Sequence, residues 1–195
     1  MHKRVPGLIA AAVFCALLAG GAVVRGSDNY AIDPAHSSVY FKISHLGLAN
    51  VFGRFNEFSG NFTLDPDDAG KCSFEMTIKP ESVDTNNPKR DSHLRSPDFF
   101  NVKQFPAITF KSTAVKAIKG GYEVTGELTM HGMSKPIKLE LTGGQKAQFP
   151  PGVPRTGFNT ELPLKRSDFG VGAEQFAKAL GDEVRIAIGF EGTKR

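Results

Sequence analysis

The sequence predicts an all-β fold of eight antiparallel strands around one core, and three observations carry that expectation. Apolar or small residues recur with a period of two, as in Tyr122, Val124, Gly126, Leu128 and Met130 with polar side chains between them. Successive strand side chains point to opposite faces, so each such segment has one oily and one wet side. Parallel strands covered by helices would read instead as unbroken apolar runs. Turn signals separate the segments at short intervals, among them Asp65-Pro66-Asp67-Asp68-Ala69-Gly70, Gly120-Gly121 and His131-Gly132-Met133-Ser134. Length sets the third bound: 195 residues suffice for one domain with a real core and leave little for a second. Eight strands with one oily face each close into a barrel or stack as a sandwich.

In chain order, residues 1–26 come first and read as a secretory signal. His2, Lys3 and Arg4 precede an apolar run from Leu8 to Leu18, and small residues follow at Ala19-Gly20-Gly21-Ala22. Such a run falls short of the roughly 20 residues that span a bilayer, so no stable membrane span is expected. Of 24 Lys and Arg, three (Lys3, Arg4 and Arg25) lie in this segment, which leaves 21 against 20 Asp and Glu in the domain at 27–195. The basic balance therefore belongs to the export tag, and no nucleic-acid partner is expected. Cys15 also lies in the signal, behind Val13-Phe14 where a lipid anchor would need small residues; Cys72 is then alone and forms no internal disulfide.

Strands are expected over 30–46, 54–65, 71–83, 107–118, 122–131, 135–145, 156–167 and 183–192, carried by the inward sets Val39/Phe41/Ile43, Phe74/Met76/Ile78, Ile137/Leu139/Leu141, Phe158/Thr160/Leu162/Leu164 and Val184/Ile186/Ile188/Phe190. Three stretches break the period. Ala49 to Phe52 reads as a helical turn. The 89–102 connection reads as short helices, with Ser96-Pro97-Asp98 offering a cap, a first-turn proline and an acid in order. Phe176 to Leu180 reads as a last helical turn ended by Gly181. Residues 143–157, rich in Gly and Pro, read as the longest irregular loop.

Motifs for catalysis or metal binding are weak. His36, His45, His93 and His131 show no i,i+4 pair and no HExxH, and Cys72 has no CxxC partner, so no metal is expected. There is no GxSxG elbow. Asp168-Phe169-Gly170 imitates a kinase motif without a Gly-rich phosphate loop before it and reads as a turn after a strand. Lys89-Arg90-Asp91-Ser92-His93-Leu94-Arg95 is the densest polar cluster. It either rims a pocket and meets a polar head group or is a solvated helical turn. What remains is apolar bulk: 15 of the 16 Phe lie after residue 26. An eight-stranded barrel either fills its interior or holds one small ligand, and alternation does not choose between them.

The residues resemble the YceI-like family of secreted polyisoprenoid-binding proteins over about Tyr30 to Glu191. The resemblance opens with Tyr30-x-Ile32-Asp33-x-x-His36-Ser37-x-Val39-x-Phe41-x-Ile43-x-His45 and continues through Gly53-x-Phe55 and Gly60-x-Phe62. It is most distinctive at Arg90-Asp91-x-His93-Leu94, Ser96-x-Asp98-Phe99-Phe100 and Pro106-x-Ile108-x-Phe110-x-Ser112. Gly126-x-Leu128-Thr129-x-x-Gly132 and Arg166-x-Asp168-Phe169-Gly170 complete it. The resemblance implies an eight-stranded, lipocalin-like barrel in the bacterial periplasm, with a long isoprenoid or other amphiphile in an apolar tunnel. It implies binding, transport or storage, with no catalytic residues and no cofactor beyond the bound lipid.

On that reading the tunnel lining falls to Val39, Phe41, Ile43, Phe74, Met76, Ile78, Leu128, Met130, Ile186 and Ile188, and the head-group end to His93 and Arg95. A homodimer is left open. Two rival readings stand beside it. One is a secreted enzyme acting on a hydrophobic substrate through His45, His93 or His131 with Asp91; the other is a solid-cored interaction or stress protein without a ligand.

Overall fold

The computed structural model describes residues 26–172 and 174–195; the expected signal lies outside these residues but for Gly26. Among the described residues there are eleven strands, β1 (Asp28–Ile32), β2 (Ser38–His45), β3 (Ala49–Phe55), β4 (Phe58–Leu64), β5 (Ser73–Ile78), β6 (Val83–Asp84), β7 (Ile108–Ile118), β8 (Gly121–Met130), β9 (Met133–Gln148), β10 (Pro154–Lys165) and β11 (Leu180–Lys194), and one α-helix, α1 (Pro88–Arg95). None of the described helices is long and apolar enough to cross a membrane.

All strand pairs are antiparallel, and the sheet closes on itself. The ring runs β1-β4-β5-β7-β8-β9-β10-β11, and β11 returns to β1 through Tyr30↔Lys194 and Ile32↔Gly192. β2 continues β1 along β11, β3 continues β4 on the far side of β2, and β6 lies on β3. Closure leaves no long edge in the ring to be capped. The expected eight strands are thus eight courses around a barrel, several of them broken in two.

The breaks have local causes. Pro34 supplies no N–H and a fixed φ, so the first course stops in a 3-10 turn at Pro34–His36, capped by the Asp33 carboxylate accepting from the Ala35 N–H. Ala49–Phe52 is strand rather than a helical turn. Leu46 and Gly47 both adopt left-handed φ values (54° and 68°) and reverse the chain tightly, after which Val51, Gly53 and Phe55 alternate inward opposite Ile43, Phe41 and Val39. The glycine in that series hid the alternation.

The expected loop at 143–157 is mostly strand. β9 runs on to Gln148 and β10 starts at Pro154, leaving a turn at 149–153. Gly143 and Gly144, at φ 132° and 87°, accompany a register shift between Thr156 and Phe158, a bulge rather than a loop. The 89–102 connection holds a single helix, with the Asn87 side chain capping it at the Arg90 N–H and Pro88 in the first turn. Ser96 ends that helix instead of starting another, because its carbonyl accepts from Phe99 and Asn101 in tight turns. Near Phe176 the 3-10 turn is Glu174–Phe176, and Leu180 already belongs to β11.

The interior divides into two zones. Toward the β7–β8 and β9–β10 hairpins it is solid: the Phe62 ring centroid lies 4.9 Å from Tyr30, 5.8 Å from Phe74, 5.9 Å from Phe158 and 5.5 Å from Phe190. Tyr122 joins them through Phe158 at 5.8 Å. These rings come from six strands and meet across the axis, so one end of the barrel is plugged. Toward the other end, Val39, Phe55, Phe99, Ile108, Leu128 and Val171 are buried around a space they do not fill.

Candidate functional site

The unfilled zone is a cavity of about 430 Å³, within the roughly 300–1,000 Å³ usual for ligand sites. All ten side chains expected along a tunnel line it. The sheet register groups them: Val39↔Ile188, Phe41↔Ile186 and Ile43↔Val184 face one another across β2 and β11, while Met76↔Phe110 and Ile78↔Ile108 do so across β5 and β7. Phe62, Phe74 and Phe190 form its floor, where the plug begins. The bore is blind rather than a through-tunnel.

Two glycines keep it from filling. Gly53 faces inward opposite Phe41, and a β-carbon there would collide with the Phe41 ring. At Gly126 a β-carbon would stand 2.5 Å from Cζ of Phe110. Both rings therefore lie back over a glycine on the neighbouring strand, against the wall instead of across the bore.

At the open end His45, Arg90, His93 and Lys165 reach both the cavity and solvent. Phe99 and Phe176 stack at 5.0 Å, and His93 meets both edge-on while its Nε2 lies 2.9 Å from Asp98. Beside this opening the β2–β3 turn exposes Leu46, Leu48 (84 % exposed) and, on β3, Phe52 (65 %). The Leu46 N–H ties this turn to the Ala179 carbonyl at 2.7 Å.

Polar groups in the wall are few. Thr160 faces the cavity with its hydroxyl unpartnered among the described residues. Asp91 is buried and accepts from the N–H and the hydroxyl of Thr85; Arg90 donates through Nε to that hydroxyl at 2.7 Å. Arg166 also lines the bore, donating from Nε to the Gly181 carbonyl and from Nη1 to the Val171 and Gly172 carbonyls. Arg95, expected at the head-group end, is not in the lining: its guanidinium turns back to the carbonyls of Glu81 (2.7 Å) and Val83 (2.9 Å), which anchor α1 to β6.

Among the lining residues that alternation missed are Arg90, Lys165, Arg166, Phe99 and Phe176, which lie in connections or at a strand end. Two signals point to Arg90 in the sequence, the dense polar cluster and the Arg90-Asp91-x-His93-Leu94 stretch of the family resemblance. The histidines weighed for catalysis are dispersed in their bonding: His131 Nδ1 is 3.2 Å from the Phe169 carbonyl oxygen and His93 bonds Asp98. Among the described residues no group of three His, Cys, Asp or Glu could hold a metal.

Outside the bore, Arg155 joins three strand courses. Its Nη1 lies 2.7 Å from Asp33 and 3.3 Å from Glu191, and Asp33 also bonds His36 at 2.9 Å. The hydrogen bond from His36, then that from Arg155, lower the Asp33 carboxyl from the usual carboxylate value to about 2.

Comparison with known proteins agrees with this geometry. The family model described as YceI-like domain matches residues 30–192. "Protein YceI" of Salmonella arizonae is 35 % identical over 195 residues, covering 100 % of both chains. Among solved structures, that of Burkholderia cenocepacia BcnA superposes with a TM-score of 0.75 at 29 % identity, over 82 % of this chain and 98 % of its own. A polyisoprenoid binding domain from Saccharophagus degradans, implicated in plant cell wall breakdown, superposes at 0.64 with 19 % identity, over 85 % of this chain and 98 % of its own, which is a likeness of fold.

Proposed function

The chain belongs to the YceI-like domain family, and from that premise we propose that it is a non-catalytic carrier or store for a long isoprenoid or similar amphiphilic lipid. The observation that supports this most is the blind, apolar bore with its opening at one end. A tail enters from the side of His45, His93 and Leu180 and stops at the Phe62–Phe74–Phe190 floor. Each buried methylene contributes about 0.8 kcal/mol, so a prenyl tail binds tightly without a specific polar contact, less the ordering costs of association. The apolar turn at Leu46 and Leu48 and the neighbouring Phe52 give the tail a greasy path in and out. The ten lining residues hold the tail, and His93 with Arg90 stands at the head-group end.

The site of action is the periplasm, reached through the signal at residues 1–26, and N-terminal sequencing of the protein from its host should begin after residue 26. Native mass spectrometry of the same material tests the carrier reading. The expected result is a stoichiometric lipid mass released by organic extraction. Protein that carries no lipid and fails to take up farnesol in solution would end it.

A further inference from the structure

We propose that the turn between β2 and β3 is a membrane-docking edge, and that its partner is the anionic surface of a lipid bilayer. Six large apolar side chains are exposed among the described residues, and three of them, Leu46, Leu48 and Phe52, fall within one stretch of seven positions. Apolar exposure gathered in this way marks a contact surface, whereas scattered single residues do not. Turns on a wetted surface ordinarily take Asn, Asp, Gly or Ser, yet Leu46 holds a left-handed φ of 54°. Its N–H donates to the Ala179 carbonyl at 2.7 Å, and the Leu48 N–H donates to the His45 carbonyl at 3.0 Å. Both leucines are thus fixed in an exposed position.

Continuity with the bore and local charge point to a bilayer. His45, Val51, Ala179 and Leu180 line the bore next to this turn, so the exposed leucines extend the apolar interior past its opening. Phe52 faces outward, since Val51 and Gly53 on either side of it face inward. Its register partner on β2 is Lys42, which lies opposite Arg185 on β11. Arg185 is paired with Glu183 at 3.2 Å. Lys42, and Lys178 beside Ala179, have no carboxylate within 4 Å among the described residues. Asp182 holds Ser167 through both oxygens and lies in the field of Arg166 and Lys165. Glu174, in the same connection as Lys178, is an exposed acid without such a partner.

Leucine and phenylalanine tips enter the acyl boundary of a bilayer while neighbouring lysines keep their ammonium groups among the lipid phosphates. A convex turn offers a partner protein no groove to fill, but deformable acyl chains receive it. The domain at 27–195 is close to neutral overall, so the attraction is local and should fade as salt rises.

Co-flotation tests this with protein purified from its host and two kinds of vesicle. One kind is phosphatidylglycerol and phosphatidylcholine in equal parts; the other is phosphatidylcholine alone. The protein should float with the mixed vesicles at low salt, and several-fold less with phosphatidylcholine. Leu48→Ser combined with Phe52→Ser should lower the partition by about ten-fold or more, with an unchanged melting temperature because both side chains are exposed. Lys42→Gln should weaken binding to the mixed vesicles alone. Equal binding to both kinds of vesicle would overturn the anionic partner. A folded double variant that floats like the native chain would overturn the turn as the contact. A native chain that ignores vesicles but dimerises through Leu48 and Phe52 would make this a face between two copies.

The chain contains no tryptophan, so single reporters locate the contact. Leu48→Trp emission should shift to the blue on mixed vesicles, while Lys119→Trp, in the β7–β8 hairpin at the plugged end, should not move. A shift at residue 119 and none at residue 48 would place the contact at the wrong end and overturn the proposal. Vesicle binding needs no lipid in the bore, so it and the carrier reading stand or fall separately.

Discussion

Phe41 on β2 lies over Gly53 on β3, its ring filling the space that a side chain at residue 53 would need. The pair decides whether this part of the barrel is hollow. Gly53→Ala forces the ring off the wall and into the bore, an overpacking change that costs about 1–3 kcal/mol. Urea denaturation should show that loss, and farnesol affinity should fall with it. Gly126→Ala should behave alike through Phe110. An unchanged denaturation midpoint and unchanged binding for both variants would refute the view that these glycines hold the cavity open.

The plug makes the opposite prediction. Phe158 is buried among Phe62, Phe74, Tyr122 and Phe190, and Phe158→Ala should cost about 3–5 kcal/mol by equilibrium unfolding. The void it leaves extends the blind end, so in a series of prenyl alcohols the preferred length should shift upward. A preference that stays put would place the end of the binding site short of the plug.

These two residues also show what the sequence made legible. Phe41 and Phe158 sit in the same two-residue alternation and both read as inward, so strand direction and face are recoverable for most of the barrel. Which of them packs across the axis is not, because that depends on the partner strand: Phe41 meets a glycine, Phe158 meets other rings. β3 was lost to the same glycine. Arg166 reads in sequence as a polar residue at a strand end, and in the fold it is buried with its guanidinium on the carbonyls of Val171, Gly172 and Gly181. The sequence puts Arg95 at the mouth, but helix α1 turns it back to the Glu81 and Val83 carbonyls and leaves Arg90, five residues earlier, in the lining.

Acid should loosen the barrel at the Asp33–Arg155 contact. The Asp33 carboxyl is lowered to about 2 by His36 and Arg155, so the folded state binds its proton less readily than the unfolded chain does. Its contribution is therefore present above the ordinary carboxylate value of 3.8 and is lost as pH falls toward 2. Melting temperature measured from pH 5 to pH 2 should decline, and Asp33→Asn should flatten part of that slope. A native and an Asp33→Asn profile that run parallel would remove this contact from the acid response.

Cys72 should behave as a structural thiol. It is buried, and its Sγ accepts from the Asp65 N–H at 3.3 Å and lies 3.8 Å from the Asp65 carbonyl oxygen. A thiol so placed does not reach an oxidant or a second chain. Thiol titration should report almost no reactive group in the native protein and one per chain of residues 27–195 after denaturation. Rapid native labelling, or a disulfide-linked dimer on non-reducing gels, would show that the Asp65–Cys72 connection opens.

Ile186 offers the most direct separation of cavity from fold. It pairs with Leu162 on β10 and Phe41 on β2 and lines the bore from a half-buried position, so a larger side chain there grows into empty volume instead of into packed neighbours. Ile186→Trp should lower farnesol affinity by about ten-fold or more and remove the lipid mass from native mass spectra. Its denaturation midpoint should move less than that of Phe158→Ala, since no void is created and the added apolar surface is buried. Binding that survives with native affinity would mean that the tail lies elsewhere, and the outer face around Tyr40 and Phe149 would be the next surface to test.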